Sequence, residues 1–127
     1  MKILIESIPH AQQRYETCGD YWRDADGTLQ IRISQLPDKR YELLVAIHEL
    51  IEQVLSEHAG VTNEQIDAFD FAYEAARKEG DESEPGDSID CPVYKQHQFA
   101  TGIERILAAE LGIDWIEYER CIDGLGT

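Results

Sequence analysis

His48, Glu49 and Glu52 stand together in the stretch Val45–Leu55, the longest periodic apolar segment of the chain. On a helix, residues four apart lie one above the other, so His48 and Glu52 point at one spot. Glu49 projects about 100° away from His48. A stacked imidazole and carboxylate can hold a divalent cation, and a carboxylate beside them can move a proton to or from water on that cation. A hydrolytic zinc site takes three protein ligands and keeps one position open, so a third ligand must come from elsewhere. His97 ranks first, because it sits at the edge of a helical apolar face just after an acidic segment. Asp70 is second, since an acid beside an apolar face needs a partner. Glu104 and His10 follow. His58 lies on the same helix as His48 but on a different face.

The elements that must position these groups are legible. Met1–Glu6 opens a short apolar run ended by Pro9, which reads as a buried strand. Residues 10–18 have no clear pattern. Tyr21–Arg23 and Thr28–Ser34 flank Asp24-Ala25-Asp26-Gly27 and read as a β-hairpin, because Asp-Gly tolerates the positive φ of a tight turn. Leu29, Ile31 and Ile33 alternate with Gln30, Arg32 and Ser34, one face buried and one wet. Asp38 is the expected N-cap of a long helix that Gly60 ends. On this helix Leu43, Leu44, Ile47, Leu50, Ile51, Val54 and Leu55 share an arc expected to be core, with His48 and Glu52 on its edge. Thr62 and Gln65 form a capping box for a second helix, whose residues Ile66, Phe69, Tyr73 and Ala76 face inward. Gly80–Asp90 has no periodicity and reads as a mobile loop. A third helix spans about 94–111, stopped by Gly112, with Phe99, Ala100, Ile103, Ile106, Leu107 and Leu111 as its expected core face. A short helix capped by Asp114 and packed by Trp115 closes the chain. The expected fold class is α+β, a single domain over 1–127. A small antiparallel sheet, the N-terminal strand plus the hairpin, packs on three main helices and a C-terminal one.

Composition narrows the partners. With 26 acidic against 11 basic residues, the net charge of −15 disfavours phosphate neutralisation, so no nucleic acid is expected. An anionic membrane surface is disfavoured for the same reason. No stretch approaches the ~20 apolar residues of a membrane span. Cys18, Cys91 and Cys121 are odd in number and never in a Cys-x-x-Cys pair, which fits free thiols and a cytoplasmic protein.

His48-Glu49-Leu50-Ile51-Glu52, on a helix after a β-hairpin, resembles the active-site helix of the zincin-like metallopeptidases, with Glu52 where that superfamily has a second His. The resemblance implies a bound zinc ion, His48 and Glu52 as ligands, Glu49 as general base, and a peptide or protein substrate along a sheet edge. Glu52 makes the metal less electrophilic and shifts selectivity toward harder ions. A rival reading comes from the all-α NTP pyrophosphohydrolases, which bind Mg²⁺ through E-x-x-E on one helix and E-x-x-D on the next. Glu49-x-x-Glu52, Glu64-x-x-Asp67 and Asp67-x-x-Asp70 echo that spacing. Against it, His48 stands where that family has Glu, and the N-terminal sheet has no counterpart. The chain also looks like small bacteriophage-type proteins, which leaves a third reading, a non-catalytic acidic interaction protein. A lone His at the rim of an apolar face is more often a hydrogen-bonded boundary residue than a ligand. Only the register of His48, Glu49 and Glu52 raises the metal reading above that.

Overall fold

The computed structural model describes residues 1–126 and shows an α+β architecture. Strands β1 (Ile3–Ile8), β2 (Gly19–Arg23) and β3 (Leu29–Ser34) form one sheet in the order β1-β3-β2. Four helices follow: α1 (Lys39–His58), α2 (Asn63–Ala75), α3 (Tyr94–Glu110) and α4 (Trp115–Asp123). No helix among the described residues is long and apolar enough to cross a membrane.

The hairpin forms as its sequence demands. β2 and β3 pair antiparallel with Tyr21 opposite Ile31, and the turn closes through Gly27 at φ +88°, a left-handed conformation that glycine adopts without strain. The sheet as a whole is mixed rather than antiparallel, because β1 runs parallel to β3 with Ile5 opposite Ile31. The cause lies in residues 9–18. Gln35 N–H donates to the Ile8 carbonyl, His10 Nδ1 lies 2.8 Å from Ser34 Oγ, and Ser34 N–H donates to the Cys18 carbonyl. This segment therefore crosses the end of β3 and delivers β2 to the far edge. Strand β1 is also not buried. Leu4 and Ile5 are exposed on the outer edge, while Leu29, Ile31 and Ile33 of the central strand form the sheet's contribution to the core.

The helix ends match their signals. Asp38 accepts from the Arg40 N–H, Thr62 and Gln65 complete the capping box, and Gly60 and Gly112 take positive φ just past α1 and α3. The burial of α1 and α3 does not follow the apolar periodicity. On α1 the buried residues are Glu42, Leu44, Val45, Ala46, His48, Glu52, Gln53 and Ser56, while Leu43 and Val54 are exposed and Ile47, Leu50, Ile51 and Leu55 are half-buried. On α3 His97, Ala100, Glu104 and Ala108 are buried, while Phe99 and Ile106 are exposed. The two helices run antiparallel, with Arg40 reaching the Leu111 carbonyl at one end and Glu52 meeting His97 toward the other. Each turns a narrow face of polar and small residues toward its neighbour. The polar groups on these faces satisfy one another, which removes most of the cost of burying them. On α2 only Ile66 is buried, Phe69 and Tyr73 are half-buried, and Ala76, just past the helix, is exposed.

Candidate metal centre

The α1/α3 seam brings three ligand atoms together. His48 Nε2 lies 3.0 Å from Glu52 Oε2, His97 Nδ1 lies 3.0 Å from the same oxygen, and the two nitrogens are 3.2 Å apart. All three residues are buried. Tetrahedral zinc with bonds of about 2.0–2.1 Å would set its ligand atoms roughly 3.3–3.4 Å from one another. The triangle is within a few tenths of an ångström of that spacing.

The far side of each ligand is also occupied. His48 Nδ1 is 2.8 Å from Glu104 Oε1, and the other Glu104 oxygen accepts from the Tyr118 hydroxyl. His97 Nε2 is 3.2 Å from Glu84 Oε2 and 3.3 Å from Asp87 Oδ1. Glu52 Oε1 accepts from the Tyr21 hydroxyl at 2.9 Å, leaving Oε2 for the shared point. An imidazole that ligates a metal usually donates its second N–H to a carboxylate, which fixes its ring and raises its basicity. Both imidazoles are arranged in that way. Carboxylates on both sides of each ring favour its protonated form.

The electrostatics agree. Burial alone would lower the His48 pKa, but hydrogen bonds to Glu104 and Glu52 outweigh it and hold the imidazole well above its usual range. His97 is likewise pushed up to about 10, with burial opposing and Glu52 and Glu84 prevailing. Glu52 is opposed by burial too, yet the two imidazoles bring it down to about 2. A carboxylate and two imidazoles thus share one anionic–cationic knot, and a divalent cation entering it displaces protons.

Glu49 differs from its neighbours. It lines the same cleft of about 990 Å³ as His48, Glu52 and His97, and it receives no hydrogen bond from any described residue. Burial and then the Glu52 charge raise its pKa well above the carboxylate norm. Its carboxylate rests against the Gly19 backbone on β2, where a Cβ would stand 2.5 Å from Oε1. Gly19 is therefore fixed by close approach. A carboxyl group held in place without a hydrogen-bond partner, with its pKa raised by burial and the Glu52 charge, is placed to exchange a proton.

Of the residues singled out by the sequence, His48, Glu52 and His97 converge and Glu49 stands beside them. Asp70 does not join the triangle. It lines the same cleft, accepts from Tyr15 Oη at 2.9 Å, and is pushed up to about 7, chiefly by burial. His10 is engaged with Ser34 and Glu16, away from the seam. Glu104, ranked lower as a ligand, supports His48 from behind instead. Its signal was present, since it lies two turns from His97 on the same face. Tyr21, Tyr118, Glu84 and Asp87 carried no sequence signal for this role.

The segment that reads as a mobile loop is tied down. Arg77 donates to the Ser83 carbonyl and pairs with Glu74, and a 3₁₀ turn at Pro85–Asp87 lays Gly86 on the His97 ring. A Cβ at Gly86 would fall 2.4 Å from the imidazole. The Mg²⁺ spacing finds less support. Asp67 is paired with Arg14, and among the described residues no group of three close His, Cys, Asp or Glu ligand atoms includes Glu64, Asp67 or Asp70. No protein-family model, no curated protein and no solved structure matches this chain.

Proposed function

We propose that the chain is a zincin-like metal-binding protein, with His48, Glu52 and His97 as ligands, and that it acts as a metal-dependent hydrolase on peptides. The observation that carries this reading is the triangle of ligand atoms at 3.0, 3.0 and 3.2 Å, with each imidazole backed by a carboxylate. A zinc ion there would supply Lewis acidity and a water of lowered pKa. Glu49, beside the ligands in the same cleft, is the residue that would accept a proton from water there and pass it to a leaving amine. Tyr21 holds Glu52 in one orientation, and Glu104 and Tyr118 do the same for His48.

Metal analysis of the purified protein tests the first half. One zinc per chain is expected in the wild type, and none in His48→Ala or His97→Ala. Peptide turnover tests the second half. Glu49→Gln should keep its zinc and lose turnover by about 10²–10⁴-fold, the usual contribution of a general base. A Glu49→Gln protein as active as the wild type would remove Glu49 from the mechanism and leave only the metal site.

A further inference from the structure

The outward faces of α1 and α3 carry apolar residues that no part of the described chain covers. Phe99 is 57% exposed, Ile106 64%, Leu43 47% and Val54 53%.

The order of residues on α3 says what fits there. Lys95, Phe99, Gly102, Ile106 and Glu110 follow one another at spacings of four, three, four and four, so they share one stripe. Lys95 pairs with Glu110, and Phe99 with Ile106, symmetrically about a point between Gly102 and Ile103. Neither Lys95 nor Glu110 has an ion pair or a side-chain hydrogen bond among the described residues. Gly102 sits mid-helix, where glycine destabilises, and nothing lies within 4 Å of where its Cβ would stand. The protomer itself gives no reason for a glycine there. A helix crossing at close range would.

We propose that this α3 stripe is the interface of a two-fold symmetric dimer of the chain, with α3 crossing its own copy antiparallel at Gly102. A two-fold passing between Gly102 and Ile103 puts Lys95 opposite the partner's Glu110 and Phe99 opposite the partner's Ile106, so one stripe complements itself. It also removes apolar surface from a protein whose charge of −15 would otherwise favour separation. The ends of the stripe supply the attraction that the rest of the surface lacks.

Sedimentation equilibrium from micromolar to hundreds of micromolar protein tests this, with helical circular dichroism as the folding control. The wild type should dimerise. Phe99→Ser/Ile106→Ser should be monomeric with unchanged helicity. Lys95→Glu should raise the dimer dissociation constant about tenfold, since the contact occurs twice and attraction becomes repulsion. Lys95→Glu/Glu110→Lys should restore it. A monomeric wild type, or a charge swap that fails to rescue Lys95→Glu, would overturn the proposal. Neither result bears on zinc content, so it stands or falls apart from the metal reading.

Discussion

The inner and outer faces of the α1/α3 pair are made of opposite materials. Inside lie His48, Glu52, His97 and Glu104, separated by Ala100, Ala108 and Leu44. Outside lie Leu43, Val54, Phe99 and Ile106. An ordinary helix pair of a small domain buries its apolar stripes on each other. Here the seam holds together through charge-assisted hydrogen bonds among side chains, and small alanines let the backbones come close. The difference teaches that the apolar arc of a helix marks a face that needs a partner. It does not say that the partner belongs to the same fold.

Adjacent positions give the sharpest test of that contrast. Ala100 is fully buried in the seam and Phe99 beside it faces out. Ala100→Leu must force the helices apart and should cost about 3 kcal/mol, the upper end for overpacking. Phe99→Ser at concentrations that favour monomer should stay within about 1 kcal/mol. Thermal melts decide it, and equal losses would break the comparison. Next comes the cation. Zinc at a hundred times its dissociation constant should add about 2.7 kcal/mol, so chelation should lower Tm by several degrees in the wild type and leave His97→Ala unmoved. A smaller effect probes the support behind His48. Glu104→Gln keeps the shape but not the charge, and competition with a chelating dye should show zinc affinity falling about 10–100-fold.

The smallest effect concerns the cleft wall. Asp70 titrates near pH 7 in the folded protein instead of its usual 3.8. Its protonated form is favoured by folding, so its contribution is complete below about pH 4 and is lost as the pH rises through 7. Asp70→Asn keeps an acceptor for the Tyr15 hydroxyl and cannot ionise. It should melt higher than the wild type at pH 8, by about 1 kcal/mol, with the advantage vanishing near pH 4. An advantage independent of pH would remove Asp70 as its source.

How much of this was readable in the chain depends on the range of the forces involved. The hairpin at Asp26-Gly27, the Thr62/Gln65 capping box, the Asp38 and Asp114 caps and the glycine stops are local, and the sequence shows each of them. The His48/Glu52 register is also local, a property of one helix. The pairing of β1 with β3 is not, because residues 9–18 carry no periodicity and their route is set by hydrogen bonds to Ser34. The inversion of α1 could not be read from its own pattern, since burial there depends on Glu104 and His97 more than 40 residues away. Glu84 and Asp87 reach His97 from a segment whose path is fixed by Arg77 and Gly86, and nothing in its composition states that path.

Tyr118 links the candidate metal centre to an optical signal. Its ring centroid is 5.2 Å from that of Trp115, and its hydroxyl donates to Glu104 behind His48. Trp22, the other tryptophan, has the Arg14 and Arg32 guanidinium groups over its ring at 4.8 and 5.0 Å. The chain therefore carries one fluorophore coupled to the seam and one insulated from it. In a Trp22→Phe protein the remaining emission belongs to Trp115 alone. A titration with zinc should then be visible in its intensity without any added dye, while Trp115→Phe should make the same titration dark.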